Sequence, residues 1–233
     1  MIRDTINITN EINKTVDFWN TEFSKGLIYG DNPSQAAIKT SKLLLKKGIL
    51  GTKFNLLEIG GGYGRNAKYF IDYLNLNTTL FDISDNAIEL AKKYTSNCFP
   101  GLLNLVLGDV ADLNSLLPKA YYDVVFHNFC LHLLCFKDRD RIYSNVSTVL
   151  KPGGIFIGSY LSVNDPDCPD PGSGKEVTAF IRGKDQHFFT AQEIRKELNP
   201  FFNIEAINEG HDLEEIISEV RQTTYYYVIG IKK

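Results

Sequence analysis

The sequence has no excess of base. Its 25 lysines and arginines are outnumbered by 28 aspartates and glutamates, giving a formal net charge of −3. Binding along a phosphate backbone usually draws on a basic surplus, so the composition points away from nucleic acid as a partner. Long apolar runs are missing too. No stretch reaches the roughly 20 residues that cross a bilayer, and Met1-Ile2-Arg3-Asp4-Thr5-Ile6-Asn7 lacks an apolar core of signal-peptide length. No membrane partner is expected. Four cysteines scattered irregularly over 233 residues make no disulfide framework, which favours a reducing, cytoplasmic setting. There is no internal repeat and no low-complexity tract. What is present, 43% hydrophobic and 23% charged residues, suits a chain that buries a sizeable core, with one elaborated domain as the expectation.

From residue 53 to residue 160, strand-like runs alternate with helical patterns, which predicts an α/β fold with a mostly parallel sheet. Strands are expected at 53–59, 78–81, 103–107, 122–126 and 155–160, and helices at 65–74, 85–94 and 138–150. Ser84 is placed to cap the second of these helices, and Lys151-Pro152-Gly153-Gly154 stops the third. Upstream, Asp31-Asn32-Pro33 reads as the start of a helix to about residue 47, and a further helix at 11–23 carries the sole tryptophan, Trp19. Downstream, 164–174 sustains neither period and reads as a loop, and Thr190-Ala191-Gln192-Glu193 fits a capping box for a helix to about 198. Two closing strands, 202–207 and 224–231, follow as an antiparallel pair with a short helix between them near 213–220.

Within this pattern, Asn55-Leu56-Leu57-Glu58-Ile59-Gly60-Gly61-Gly62-Tyr63-Gly64-Arg65-Asn66 stands out. A strand that should be apolar carries a glutamate and then opens into a glycine loop. In an open parallel sheet, ligands sit beyond the carboxyl ends of the strands. The glycine loop, Asp82 and Gly108-Asp109-Val110 end successive strands and should line one crevice. Glycines admit close backbone approach, a carboxylate ending the second strand suits ribose hydroxyls, and a third acid suits an adenine amino group. Two cofactors compete for it. Gly62-Tyr63-Gly64-Arg65-Asn66-Ala67 satisfies the dinucleotide pattern G-x-G-x-x-G/A with Asp82 about 20 residues beyond, so a nicotinamide-dependent oxidoreductase fits. Glu58 argues the other way, because a carboxylate beside a pyrophosphate is repelled and one beside a cation is welcome.

Glu58-Ile59-Gly60-Gly61-Gly62-Tyr63-Gly64 resembles the E-x-G-x-G-x-G motif of class I S-adenosylmethionine-dependent methyltransferases. The resemblance continues through Phe81-Asp82-Ile83-Ser84, Gly108-Asp109-Val110, Tyr122-Asp123-Val124-Val125-Phe126-His127-Asn128 and Leu150-Lys151-Pro152-Gly153-Gly154-Ile155-Phe156. It implies a Rossmann-like seven-stranded sheet with the last strand antiparallel and helices on both faces. S-adenosyl-L-methionine is the implied cofactor. Carried over residue by residue, Gly60, Gly62 and Gly64, with Gly61 between them, surround the methionine moiety. Asp82 takes the ribose, Ile83 packs on the adenine, Asp109 and Val110 meet it, and Asn128 and Phe129 flank the methyl. Glu58 acts from behind, on the loop or on a water near the ammonium.

No catalytic base is evident. Transfer from a sulfonium needs mainly alignment and exclusion of water, and a base only if the acceptor must lose a proton. His132 and His187 are the candidates, each weighed against a packing role. His127, Cys130, His132 and Cys135 have irregular spacings for a metal, and no metal is expected. The domains expected are an N-terminal helical cover at 1–50 and the cofactor-binding domain at 51–233, with a substrate-covering loop near 162–189. His127-Asn128-Phe129-Cys130 departs from the N/D-P-P-Y motif of the family's amino-methylating enzymes, so a small, partly apolar acceptor is favoured, lined by Trp19, Tyr29, His132 and His187. A cofactor-binding module without transfer activity is a further alternative.

Overall fold

A computed structural model describes residues 14–95, 101–133, 136–216 and 219–233. The chain opens with helix α1 (14–24), followed by α2 (Gln35–Lys46), β1 (Asn55–Ile59), α3 (Arg65–Leu74), β2 (Asn77–Asp82), α4 (Asp85–Thr95) and β3 (Leu103–Leu107). A 3-10 turn at Val110–Asp112 leads into the short α5 (Leu113–Leu116) and then β4 (Tyr122–Asn128). A second 3-10 turn, Leu131–Leu133, precedes α6 (Phe136–Val149) and β5 (Leu150–Leu161). The last third holds β6 (Val177–Ile181), β7 (Lys184–Phe188), α7 (Ala191–Leu198), β8 (Phe202–Ile216) and β9 (Glu219–Lys232).

Seven strands form one sheet in the order β3-β2-β1-β4-β5-β9-β8. β9, the last strand, runs antiparallel to both β5 and β8, so the expected architecture is the one observed. Strand order reverses between β1 and β4, which opens the ligand crevice of such sheets at their carboxyl ends. Alternate strand residues feed two helical layers. Leu57, Val125 and Phe156 join Ile142 and Val146 of α6 and Ile194 of α7 on one face. Leu56, Val124, Phe126 and Ile157 join Ala37 of α2 and Phe70 of α3 on the other. This two-sided burial is why these strands read as near-continuous apolar runs.

Four expectations are corrected. The stretch near 213–220 is not a helix: β8 and β9 pair as a long ribbon from Phe202↔Lys232 to Ile216↔Glu219, because backbone pairing to a neighbour outweighs the helical spacing of the apolar residues. Helix α2 is capped by Ser34, whose hydroxyl accepts the Ala37 amide at 3.1 Å, rather than begun at Asp31-Asn32-Pro33. The substrate-covering segment near 162–189 is not a bare loop but contains the β6–β7 hairpin, turned at Arg182 (φ 55°) and Gly183 (φ 82°). Positive φ at both central residues is the two-residue turn that matches strand twist. β5 starts at Leu150, through the glycine stop, with an irregular register opposite β4 between Tyr122 and Val124. The N-cap half of the capping box is present, with Thr190 accepting the Glu193 amide at 3.1 Å, but the Glu193 carboxylate turns to His187 instead of returning to the Thr190 amide. The extreme N-terminus, positions 11–13 of the first predicted helix, and Cys135 lie outside the described residues. Among the described residues, no helix is long and apolar enough to cross a membrane.

Candidate active site

The crevice is built by backbone first. The amides of Gly60 and Gly61 donate to the Phe81 carbonyl at 2.8 and 3.3 Å, which ties the glycine loop to the end of β2. Asp82, buried at that end, accepts the Gly62 amide on Oδ2 at 2.8 Å and the Ser84 amide on Oδ1 at 2.9 Å. Burial raises its carboxyl pKa, and the amides of Ser84, Gly62 and Ile83 pull it back. A carboxylate accepts about four hydrogen bonds, so both oxygens retain capacity toward a pair of vicinal hydroxyls.

Gly60 has φ +68°, and a Cβ there would meet Cys130 Sγ at 2.6 Å. The glycine is required by conformation and by contact together. Cys130 marks where the acids meet: burial, and then the charges of Asp82, Asp109 and Glu58, push its thiol pKa up to about 12. Three acids predicted from three strand ends therefore all bear electrostatically on this one thiol. Asp109 also caps the 3-10 turn, accepting the Ala111 amide at 2.8 Å, while Val110 is buried and Ile83 half-buried.

Glu58 lies beneath the loop, 1% exposed. The Asn66 side-chain amide donates to Oε1 at 3.0 Å, and Oε2 is buried with no partner among the described residues. Burial is the largest cause of its pKa rising to about 7, opposed by Asn66 and by the charge of Arg65. An orphaned carboxylate oxygen under a glycine loop fits an ammonium-bearing ligand, reached directly or through a water. It does not fit a pyrophosphate.

Helix α1 lies over this loop. A Cβ on Gly62 would meet the Phe23 ring at 3.0 Å, and Asn20 Oδ1 accepts the Ser84 hydroxyl at 2.7 Å. Trp19 stacks on Phe23 at 5.8 Å between centroids. The Lys184 ammonium sits 4.3 Å from the Trp19 ring centre, so α1 and the turn of the β6–β7 hairpin meet. Tyr29 is committed to the cover: its amide donates to Tyr63 Oη at 3.1 Å, and its ring carries the Arg65 guanidinium at 5.1 Å.

At the end of β4, Asn128 Oδ1 is buried without a partner among the described residues. Phe129 takes the left-handed conformation at φ 52°, a strained choice for an aromatic residue that sets its ring edge-on to Tyr225 at 5.4 Å and to His132 at 6.0 Å. His132 is 3% exposed with Nδ1 unpartnered among the described residues. Burial, then the charges of Lys184, His127, Arg221 and His187, hold its ring neutral. His187 is engaged at both nitrogens, Nδ1 with Thr178 Oγ1 at 2.7 Å and Nε2 with Glu193 Oε1 at 2.8 Å, which joins it to the α7 start. His127 packs instead against Tyr160 and Phe156, where burial takes its pKa down to about 3. Among the described residues no group of His, Cys, Asp and Glu could hold a metal ion.

Sequence reading missed Asn66, Lys184 and Arg221. A polar residue beside Ala67 and Phe70 on the buried face of α3 was the available signal for Asn66. Lys184 and Arg221 depend on a hairpin and a ribbon that were read as loop and helix.

Comparison with known proteins agrees with this geometry. Residues 57–158 match the family model described as "Methyltransferase domain". The chain is 28% identical over 179 residues to mouse tRNA N(3)-cytidine methyltransferase METTL2, covering 69% of this chain and 46% of that protein. An O-methyltransferase of Pyrenophora dematioidea is 29% identical over 119 residues, covering 50% and 42%. The chain thus spans less than half the length of the curated relatives it matches. A solved structure of Burkholderia thailandensis 1,6-didemethyltoxoflavin-N1-methyltransferase with S-adenosylhomocysteine superposes with TM-score 0.70 at 16% identity, over 97% of this chain and 90% of that one. Residues 57–158 are thus similar to a methyltransferase domain, and the superposed neighbour carries S-adenosylhomocysteine, the form S-adenosylmethionine takes after giving up its methyl.

Proposed function

We propose that this protein transfers a methyl group to a small-molecule acceptor enclosed between the carboxyl ends of β1, β2 and β4 and a cover formed by α1 and the β6–β7 hairpin. The cover carries the reading. Phe23 over Gly62 and Trp19 under Lys184 close the crevice from two sides, which favours an acceptor small enough to be enclosed. The cover so defined ends near residue 34, since α2 packs in the sheet core.

When bound, S-adenosylmethionine supplies an electrophilic methyl on a sulfonium. The chain's residues bind, orient and exclude water. In this reading Asp82 receives the ribose hydroxyls, Asp109 and Val110 meet the adenine, Gly60, Gly62 and Gly64 admit the methionine moiety, and Glu58 balances its ammonium. Asn128 and Phe129 border the reacting carbon. Alignment of this kind supplies up to roughly 7–11 kcal/mol of barrier reduction when donor and acceptor are held near attack distance. A chain with net charge −3 is poorly matched to a polyanionic acceptor, which favours a small molecule over an RNA like that of the mouse relative.

The test is incubation with methyl-labelled S-adenosylmethionine and a cell extract separated into small-molecule, protein and RNA fractions. Label in the small-molecule fraction is expected. Label confined to RNA would replace the small acceptor with a nucleic acid, and label in no fraction would leave a binding module without transfer.

A further inference from the structure

Lys184 of β7, Arg221 of β9 and His132 of the 3-10 turn that packs against β7 are polar groups that the transfer chemistry does not use. Lys184 opens β7 with its ammonium 4.3 Å from the Trp19 ring centre and 5.5 Å from that of Phe18. Among the described residues it has no carboxylate within ion-pair distance. The nearby acid, Glu22, is paired with Lys25. Arg221, on β9, reaches Asp167 at 2.6 Å, and Arg182, in the hairpin turn, reaches the same carboxylate at 3.5 Å, which brings Arg221 beside the hairpin. Arg221 Nε is buried and has no partner among the described residues. His132 completes the group with its orphaned Nδ1 and its 6.0 Å edge contact to Phe129. Burial and the charges of Arg221 and Arg182 bring the Lys184 pKa down to about 8, and the charges of Lys184 and Arg221 both bear on His132.

Buried nitrogens left without a partner, as Arg221 Nε and His132 Nδ1 are among the described residues, are costly unless a group bearing lone pairs arrives. Lysine and arginine together with a ring N–H form the donor set that recognises carboxylate and phosphate oxygens. We propose that Lys184, Arg221 and His132 hold an oxyanion, carboxylate or phosphate, borne by the acceptor, so that the substrate is an anionic small molecule. This rests on the small-acceptor reading above. It also explains why the hairpin reaches α1: the ammonium that binds the anion is the one seated on Trp19, so substrate binding and closure of the cover share a residue.

Trp19 is the sole tryptophan, which makes it a reporter. Its emission in the S-adenosylhomocysteine complex is followed during titration with inorganic phosphate and, separately, with acetate, against sodium chloride at matched ionic strength. A saturable change with phosphate, acetate or both is expected, and the stronger anion identifies phosphoryl or carboxylate. Lys184→Met and Arg221→Met should each weaken it by about tenfold or more, as loss of a charge-assisted contact implies. Both variants should keep their far-ultraviolet circular dichroism, and each is titrated as its own saturated S-adenosylhomocysteine complex. Absence of a saturable change, an equal change with chloride, or undiminished binding in both variants would overturn the anion site. Failure of the wild type to bind S-adenosylhomocysteine would instead overturn the methyltransferase reading.

Discussion

The side-chain amide of Asn66 donates to Oε1 of Glu58 at 3.0 Å, and Asn66 Oδ1 accepts the Ser34 amide at 2.9 Å. One asparagine thus links the buried acid under the glycine loop to the cap of α2. It holds Glu58 from one side only, leaving Oε2 open.

A pH dependence follows from that half-held carboxylate. Glu58 titrates at about 7 in the fold against an ordinary 4.5. Below 4.5 both folded and unfolded chains are protonated. Between 4.5 and 7 the fold alone keeps the proton, so the stabilising contribution falls as pH rises and is lost above about 7. The shift corresponds to on the order of 3 kcal/mol. Chemical denaturation at pH 5 and pH 8 should show a smaller loss of stability in Glu58→Gln than in the wild type, since glutamine preserves the acceptor for Asn66 and does not titrate.

An ammonium beside Glu58 stabilises its charged form, so binding of S-adenosylhomocysteine should release a proton near pH 6.5 and tighten as pH rises toward 8. Calorimetry in buffers of different ionisation enthalpy measures that release. Glu58→Gln should abolish it and weaken binding; Arg65 and Asp82, the other charges acting on Glu58, are unchanged in that variant.

Gly60→Ala should lose both cofactor affinity and stability, the latter by about 1–3 kcal/mol, because φ +68° and the 2.6 Å approach to Cys130 Sγ act together. The pair Gly60→Ala with Cys130→Gly removes the contact and keeps the backbone strain. Thermal melts should therefore show partial recovery; full recovery would mean that conformation contributes nothing.

Arg139, on α6 and 2% exposed, lies between Glu197 at 3.2 Å and Glu193 at 3.6 Å. Arg139→Met leaves two carboxylates without their countercharge and should destabilise by about 3–5 kcal/mol at pH 8. The loss should shrink at pH 5, because burial already raises Glu197 to about 7 and protonation removes its charge. Equal losses at both pH values would contradict this origin.

The sequence made the parallel core legible because its strands are buried on both faces and its helices begin at Ser84 and Thr190, local signals that tertiary structure did not override. Glu58, Gly60, Asp82 and Asp109 were legible for a related reason: each ends a strand whose position periodicity fixes. The β6–β7 hairpin was missed because its signal is a single turn, Arg182-Gly183, within a polar run. The β8–β9 pair was legible as antiparallel strands at 202–207 and 224–231, but its extension to Ile216↔Glu219 was missed because Leu213 and Val220 lie at helical spacing, and only cross-strand pairing decides between the two structures. Lys184 and Arg221 lie on those two elements, so both were out of reach of sequence reading.

The central claim is that this crevice is shaped for an ammonium-bearing nucleoside and not for a pyrophosphate. Calorimetric titration of the wild type and of Asp82→Ala with S-adenosylhomocysteine, and of the wild type with reduced nicotinamide dinucleotide, tests it most directly. Saturable binding of S-adenosylhomocysteine, weakened by tenfold or more in Asp82→Ala as loss of a charged hydrogen-bond acceptor implies, with no comparable nicotinamide binding, is the predicted result. Tight nicotinamide binding by a folded wild type that ignores S-adenosylhomocysteine would contradict it.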